Sequence, residues 1–284
     1  MRRYSYHKPQ TIEDALRLKN EKTGAVYIAG GTDVMVQIKD RELRPSAMIS
    51  LRNIPDLARI EVNGGARIGA LTTIADIIRH PTLGQAFPVL MEAARRIGSV
   101  QIRNVATIGG NLCNCSPCAD MALPLLVLEA KVRLRSSDTT REVSIEDFFQ
   151  GPGESCLLAD EIMTDILLDR SDENAVAVFM KKGRVQMDLA VASVAALLDM
   201  EGDLCRKARI AAGSVAPVPL RLRAVEEKLE GSILSEKMIR KAQELSKNSV
   251  SPITDIRSTE DYRRQVVSVF VKRSLEKALT WSQQ

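Results

Sequence analysis

Two paired glycines constrain this chain more than any other feature. One pair sits in Ala29-Gly30-Gly31-Thr32-Asp33, directly after the apolar run Ala25-Val26-Tyr27-Ile28-Ala29 and before Val34-Met35-Val36-Gln37-Ile38. The other sits in Thr107-Ile108-Gly109-Gly110-Asn111. Each combines adjacent glycines with a hydroxyl and a carboxylate or amide. Adjacent glycines let the backbone turn through positive φ and gather consecutive N–H groups on one concave side, which makes an anion nest. Two such loops have the parts to clamp the two phosphates of a dinucleotide. Glycine pairs also mark plain turns, and the residues alone leave both readings open. A third pair, Gly64-Gly65, has no hydroxyl or amide beside it and reads as a hairpin turn. The fingerprint G-x-G-x-x-G and the P-loop pattern are absent.

Composition narrows the function classes. The chain has 284 residues, 45% hydrophobic and 27% charged, which fits a globular protein of about two domains. No apolar run is long enough to span a bilayer, and the start, Met1 to Pro9, has no apolar signal region. The expectation is a cytoplasmic protein without a membrane span. Net charge is +4, with acids and bases interspersed, and aromatics are 4%; neither points to nucleic acid. Only two histidines, His7 and His80, are present, and neither has the motif that a metal centre or a hydrolytic triad needs. Five cysteines without an export signal do not suggest a disulfide framework.

Along the chain, Thr11 reads as the N-cap of a helix, with Asp14 three residues on. Ala25–Ala29, Ala47–Leu51 and Arg67–Leu71 read as strands, and Thr72 or Thr73 as a cap for a helix through Ile78. Pro88 and Gly98 bracket a helix over Val89–Ile97. Thr107 to about Asp120 reads as an irregular loop. Pro124–Glu129 reads as helix, Lys131–Arg135 as a half-buried strand, Ser144–Asp147 as a short turn or helix, and Glu161–Leu168 as extended. The polar run Arg170–Asn174 marks a boundary. Beyond it come three strand-like runs, Ala175–Phe179, Ala190–Leu198 and Ala208–Ala212, then helices starting near Leu222, capped by Ser235, and capped by Ser258.

The residues Tyr27-Ile28-Ala29-Gly30-Gly31-Thr32-Asp33-Val34 and Ile102-Arg103-Asn104-Val105-Ala106-Thr107-Ile108-Gly109-Gly110-Asn111-Leu112, with Ser116-Pro117 and Asp120, resemble the FAD-binding subunit of the molybdenum hydroxylases. That family includes the flavin subunits of bacterial xanthine dehydrogenases and the medium subunits of aerobic carbon monoxide dehydrogenases. The likeness runs through Asp147-Phe148-Phe149, Gly151-Pro152-Gly153, Lys181-Lys182-Gly183-Arg184, Met187-Asp188-Leu189-Ala190, Gly213–Pro219 and Tyr262-Arg263-Arg264. It implies an α+β chain: a two-lobed, vanillyl-alcohol-oxidase-like (PCMH-type) FAD-binding domain over 1–171, with lobes of about 1–55 and 56–171. A C-terminal α/β domain over 172–284, with a three-stranded sheet and helices, would follow. It implies non-covalent FAD, with the two glycine loops around the pyrophosphate and Ile97 among the contacts. Asp120 would bond the adenosine part or the adjacent loop, the Ile162-Met163 backbone would lie near the isoalloxazine, and Lys181 would approach the flavin, with Met180 or Lys182 as alternatives.

The resemblance also implies partners: a small subunit with [2Fe–2S] clusters, a large molybdopterin subunit, and NAD⁺, a quinone, a ferredoxin-like carrier or oxygen as acceptor. Cys113-Asn114-Cys115-Ser116-Pro117-Cys118 departs from the family pattern of small residues. A closed metal site needs four ligands, so Cys113, Cys115 and Cys118 read first as small loop residues and only second as a metal or redox site. Two rival functions remain at this level, a self-contained flavin oxidoreductase of the same fold and a metal-binding protein built on the cysteine loop. No side chain stands out as a catalytic acid or base.

Overall fold

The computed structural model describes residues 3–169 and 175–282. The polar run Arg170–Asn174, and with it the boundary between 171 and 172, lies outside the described residues.

The first lobe is a three-stranded parallel sheet of β1 (Ser5–His7), β2 (Ala25–Ile28) and β3 (Ala47–Ser50), ordered β1-β3-β2. Helix α1 (Ile12–Glu21) joins β1 to β2. Its cap is the expected one: the Asp14 N–H donates to the Thr11 hydroxyl at 3.1 Å, satisfying one of the amide donors that a helix start leaves unpaired. Parallel strands share a direction, so their carboxyl ends open on one side. Ile28 of β2 is in register with Ser50 of β3, which places Gly30 and Arg52 as neighbours just past that edge. Helix α2 (Val34–Lys39) follows the first glycine pair.

The second lobe opens with the hairpin β4 (Ile60–Asn63) and β5 (Gly65–Gly69), turned at Gly64 as the third glycine pair suggests. Short helices follow: α3 (Ile74–Arg79), α4 (Pro81–Ala86), α5 (Pro88–Arg95), α6 (Val100–Arg103), α7 (Ile108–Cys113) and α8 (Ala122–Val127). Then come β6 (Lys131–Arg135), β7 (Thr140–Ser144), the one-turn α9 (Ile145–Phe148), the small hairpin β8 (Phe149–Gly151) and β9 (Glu154–Ser155), and β10 (Ile162–Leu168). The sheet order is β4-β5-β10-β6-β7, antiparallel throughout. Alternation along β6 buries Val132 and Leu134 completely and leaves Lys131 exposed. Those buried side chains meet Phe87, Leu90, Ile108 and Leu126 in the main core, each contributing about 1.5–3 kcal/mol.

One expectation changes here. The segment from Thr107, read as irregular, begins as helix α7. Glycine costs a helix interior about 1 kcal/mol relative to alanine. The Thr107 cap and the complete burial of Ile108 and Leu112 outweigh that.

The C-terminal domain has the three long antiparallel strands that the sequence suggests, β11 (Ala175–Lys182), β12 (Ala192–Glu201) and β13 (Leu204–Gly213). Two short strands, β14 (Leu220–Arg221) and β15 (Ser232–Ile233), also pair with β13, so the sheet has five strands rather than three. Helices α10 (Arg223–Leu229), α11 (Glu236–Asn248) and α12 (Glu260–Ser282) complete it. Thr259, not Ser258, caps α12: its hydroxyl accepts the Tyr262 N–H at 3.3 Å, while Ser258 is held in a bridge with Asp255. The sheet is covered on both faces. Val176, Val178 and Met180 of β11 pack into the core shared with α11 and α12, whereas Ala177 and Phe179 join the core of the second lobe. This period of two aims Lys181 at the second lobe.

Candidate functional site

The two glycine pairs face each other. A Cβ on Gly30 would overlap the Val105 carbonyl, and one on Gly110 would lie 3.8 Å from the Ala29 Cβ. The segments therefore touch through backbone, which only glycine permits at Gly30.

Their amides are used differently. Gly31 is left-handed, with φ +80°. The N–H groups of Gly30, Gly31, Thr32 and Asp33 have no hydrogen-bond partner among the described residues. A run of consecutive free N–H groups at a left-handed glycine has the form of an anion nest. In the second segment the first-turn amides are all engaged. Ile108 N donates to Thr72 O at 3.0 Å, Gly109 N to Ala70 O at 2.8 Å, Gly110 N to Thr107 Oγ1 at 3.1 Å and Asn111 N to Thr107 O at 3.0 Å. Neither of its glycines has positive φ. The two segments, alike in sequence, thus differ: one leaves its amides without partners among the described residues and the other spends them internally. Gly109 serves packing, since a Cβ there would lie 2.6 Å from the Ala70 Cβ.

Around the nest, the Thr32 hydroxyl donates to Asp33 Oδ2 at 3.2 Å, and Val34 opens α2. Ile28 packs beneath Gly31. Tyr27 turns away from the cradle; its hydroxyl donates to Ala15 O at 3.4 Å, and burial pushes its phenol well above the usual range.

A second group forms around Asp120, on the chain just past α7 and tied to it through Asn111. Lys181 Nζ donates to Asp120 Oδ2 at 2.5 Å and to Arg96 O at 3.1 Å. Both side chains of the ion pair are 6% exposed. Lys181 is therefore the residue that reaches the second lobe, while Met180 packs on the opposite face and Lys182 is exposed. Burial pushes the Asp120 carboxyl above its ordinary value, against the pull of Lys181. Asp120 Oδ1 is buried with no partner among the described residues. Asn111 Oδ1 accepts the Met121 N–H at 3.3 Å, tying α7 to the chain that carries Asp120. Ile97 is buried, and its carbonyl accepts from Arg103 at 2.7 Å. Ile162 belongs to the first lobe's core and Met163 to the second's, so the start of β10 joins the lobes.

Sequence reasoning missed Arg52, whose Nη2 donates to Gly30 O at 3.5 Å; its signal is a cation just past a strand. It also missed Gln37, which donates to Asn114 Oδ1 at 3.4 Å and ties α2 to the end of α7. The three clustered thiols go to different surroundings. Cys113 is exposed, Cys118 is half-buried, and Cys115 is buried, donating to Leu112 O at 3.3 Å with its thiol pushed up to about 11 by burial. Among the described residues no three of His, Cys, Asp and Glu form a group that could hold a metal ion. No described helix is long and apolar enough to cross a membrane.

Residues 2–168 match the FAD binding domain in molybdopterin dehydrogenase, and residues 177–278 match the CO dehydrogenase flavoprotein C-terminal domain. The chain belongs to the FAD-binding subunits of the molybdenum hydroxylase family. It is 31% identical to the xanthine dehydrogenase FAD-binding subunit of Escherichia coli O157:H7, over 97% of this chain and 96% of that one. It is equally 31% identical to the carbon monoxide dehydrogenase medium chain of Afipia carboxidovorans, with the same coverage. Among solved structures, a carbon monoxide dehydrogenase from Hydrogenophaga pseudoflava that lacks the Mo-pyranopterin moiety of its cofactor superposes with a TM-score of 0.95 at 30% identity, covering 98% of both chains. This molybdenum hydroxylase flavin subunit is thus an oxidoreductase component of the xanthine and CO dehydrogenase type, with the mixed α+β fold of the medium chain.

Proposed function

We propose that the chain is the electron-relay subunit of a cytoplasmic, multi-subunit molybdenum hydroxylase. It takes electrons from [2Fe–2S] clusters of a small partner, downstream of a large molybdopterin subunit, and passes them to NAD⁺ or another acceptor. The observation that carries the reading is the run of free amides from Gly30 to Asp33, set against the backbone of Val105. Consecutive free N–H groups suit a diphosphate.

FAD, when bound, accepts electrons singly or in pairs and so links one-electron and two-electron carriers. The rest is done by the chain. Ile28–Val34 supply the nest, Thr107–Asn111 form the wall that closes it, and Ile97 backs that wall. The Asp120–Lys181 pair fixes a buried cation beside a carboxylate oxygen that has acceptor capacity left over. Ile162-Met163 provides backbone where the lobes meet, and no proton-transfer residue is required. The division at 171/172 then separates the cradle from the domain that delivers Lys181.

The test is to purify the chain, measure flavin per polypeptide, and add the small subunit with its clusters reduced. Stoichiometric FAD that is bleached by the reduced partner is expected. Gly31→Val should abolish FAD binding while leaving the far-ultraviolet dichroism unchanged. A variant that kept one FAD per chain would refute the placement of the nest.

A further inference from the structure

Arg52 stands out by its place: it forms no ion pair among the described residues and its guanidinium meets the first glycine loop. Arg17 faces Asp14 and Glu21, Arg59 faces Asp56, Arg67 faces Asp165, and Arg79 faces Asp76. The guanidinium of Arg52 is exposed, and its only hydrogen bond among the described residues is the 3.5 Å contact to Gly30 O. That long bond to a carbonyl leaves most of its five donors unused. The position follows from topology. Arg52 lies just past the carboxyl end of β3, and Gly30 just past the carboxyl end of the neighbouring parallel strand β2. Ligands of open parallel sheets bind outside this edge.

An exposed guanidinium beside four consecutive amides without partners among the described residues is an arrangement for an anion with more than one oxygen to offer. We infer that Arg52 is a phosphate-recognising residue at the rim of the nest, donating its guanidinium N–H groups to the diphosphate of the bound dinucleotide. The inference rests on the reading of the nest as the FAD diphosphate site. It adds a charged, solvent-facing contact to a cradle that is otherwise backbone. A planar guanidinium matches phosphate oxygens two at a time, and the bond to Gly30 O holds it over the loop while the rest of the fork stays available.

The test uses the full chain, stripped of flavin and titrated with FAD while flavin fluorescence is followed. Arg52→Gln keeps a donor for Gly30 O and removes the charge. It should bind FAD about tenfold more weakly, as expected for one lost charge-assisted contact. Its affinity should also respond less to added NaCl than that of the wild type, because a screened charge pair has been removed. Arg52→Lys should recover part of the affinity and the salt response. Because Arg52 is exposed, thermal unfolding of the apo chain should not change in either variant. Wild-type affinity in Arg52→Gln would overturn the inference and leave the nest intact. Equal losses in the Gln and Lys variants, with the wild-type salt response, would overturn it in favour of a purely geometric hold on Gly30. Failure of the wild-type chain to bind FAD would remove the nest reading and this inference together.

Discussion

The two Gly-Gly segments look alike in sequence and do opposite things. The Gly30-Gly31 segment is open: four amides in a row are unspent, and Gly31 sits at φ +80°. The Gly109-Gly110 segment is closed: its amides are consumed by Thr72, Ala70 and Thr107, and its glycines are helical. In the first, missing side chains let Gly31 turn left-handed and let Gly30 meet the Val105 carbonyl. In the second they let α7 press on β5 and on the first lobe. Glycine thus serves conformation at Gly31 and closeness at Gly30 and Gly109, and a repeated Gly-Gly pattern does not separate the two uses.

Perturbing each side should separate these roles. The largest effect on stability is expected behind the closed segment, where Asp120 and Lys181 pin it to the C-terminal domain. Lys181→Met leaves a buried carboxylate unpaired and should cost about 3–5 kcal/mol at neutral pH. Pairing it with Asp120→Asn should recover much of that in urea unfolding. Because burial and the loss of Lys181 both favour the protonated form of Asp120, the deficit of Lys181→Met should shrink as pH falls below neutrality. A deficit independent of pH would show that the ion pair is not its cause.

Next comes Gly109→Val, which forces a side chain into the space of Ala70. It should lower stability by about 2–3 kcal/mol, with FAD affinity following the fold rather than leading it. Gly31→Ala should show the converse, about 1 kcal/mol of stability lost to the left-handed backbone and a larger proportional loss of FAD affinity. If calorimetry found Gly31→Ala as unstable as Gly109→Val, the division into ligand loop and packing loop would fail. The smallest pair is the sharpest. Thr107→Ala removes a helix cap and should cost about 1 kcal/mol, whereas Thr32→Ala, whose hydroxyl meets only Asp33 among the described residues, should stay within about 0.5 kcal/mol in the same melt.

Much of this is legible in the sequence because it is written in local rules. Thr11 and Ser235 cap helices as the sequence suggests, accepting the Asp14 and Met238 amides, and Thr73 settles the choice with Thr72. The alternation of Val176, Val178 and Met180 against Ala177 and Phe179 is a one-dimensional signal that decides where Lys181 points. What escapes is set by distant partners. Helix α7 is held by distant partners as well as by its Thr107 cap: Ala70 and Thr72 accept its first amides, and the sequence around Gly109 does not name them. The two-residue strands β14 and β15 are defined only by β13. Thr259 displaces Ser258 as a cap because Asp255 claims the serine. Arg52 matters because the pairing of β2 with β3 brings it to Gly30, a neighbour that single-sequence patterns do not record. The resemblance to the flavin subunits names the site residues, but it does not say which glycine loop keeps its donors.

The touch between Gly30 and the Val105 carbonyl carries a consequence for biosynthesis. The nest comes from an early stretch of chain, its wall from residues near 107, and its pinning cation from residue 181, beyond the first domain. A nascent chain that has exposed only its first lobe has the amides but no wall, and one that has exposed both lobes still lacks the lysine. The proposed cradle is therefore complete only after translation has passed β11. Until then the open amides of the first loop face water alone.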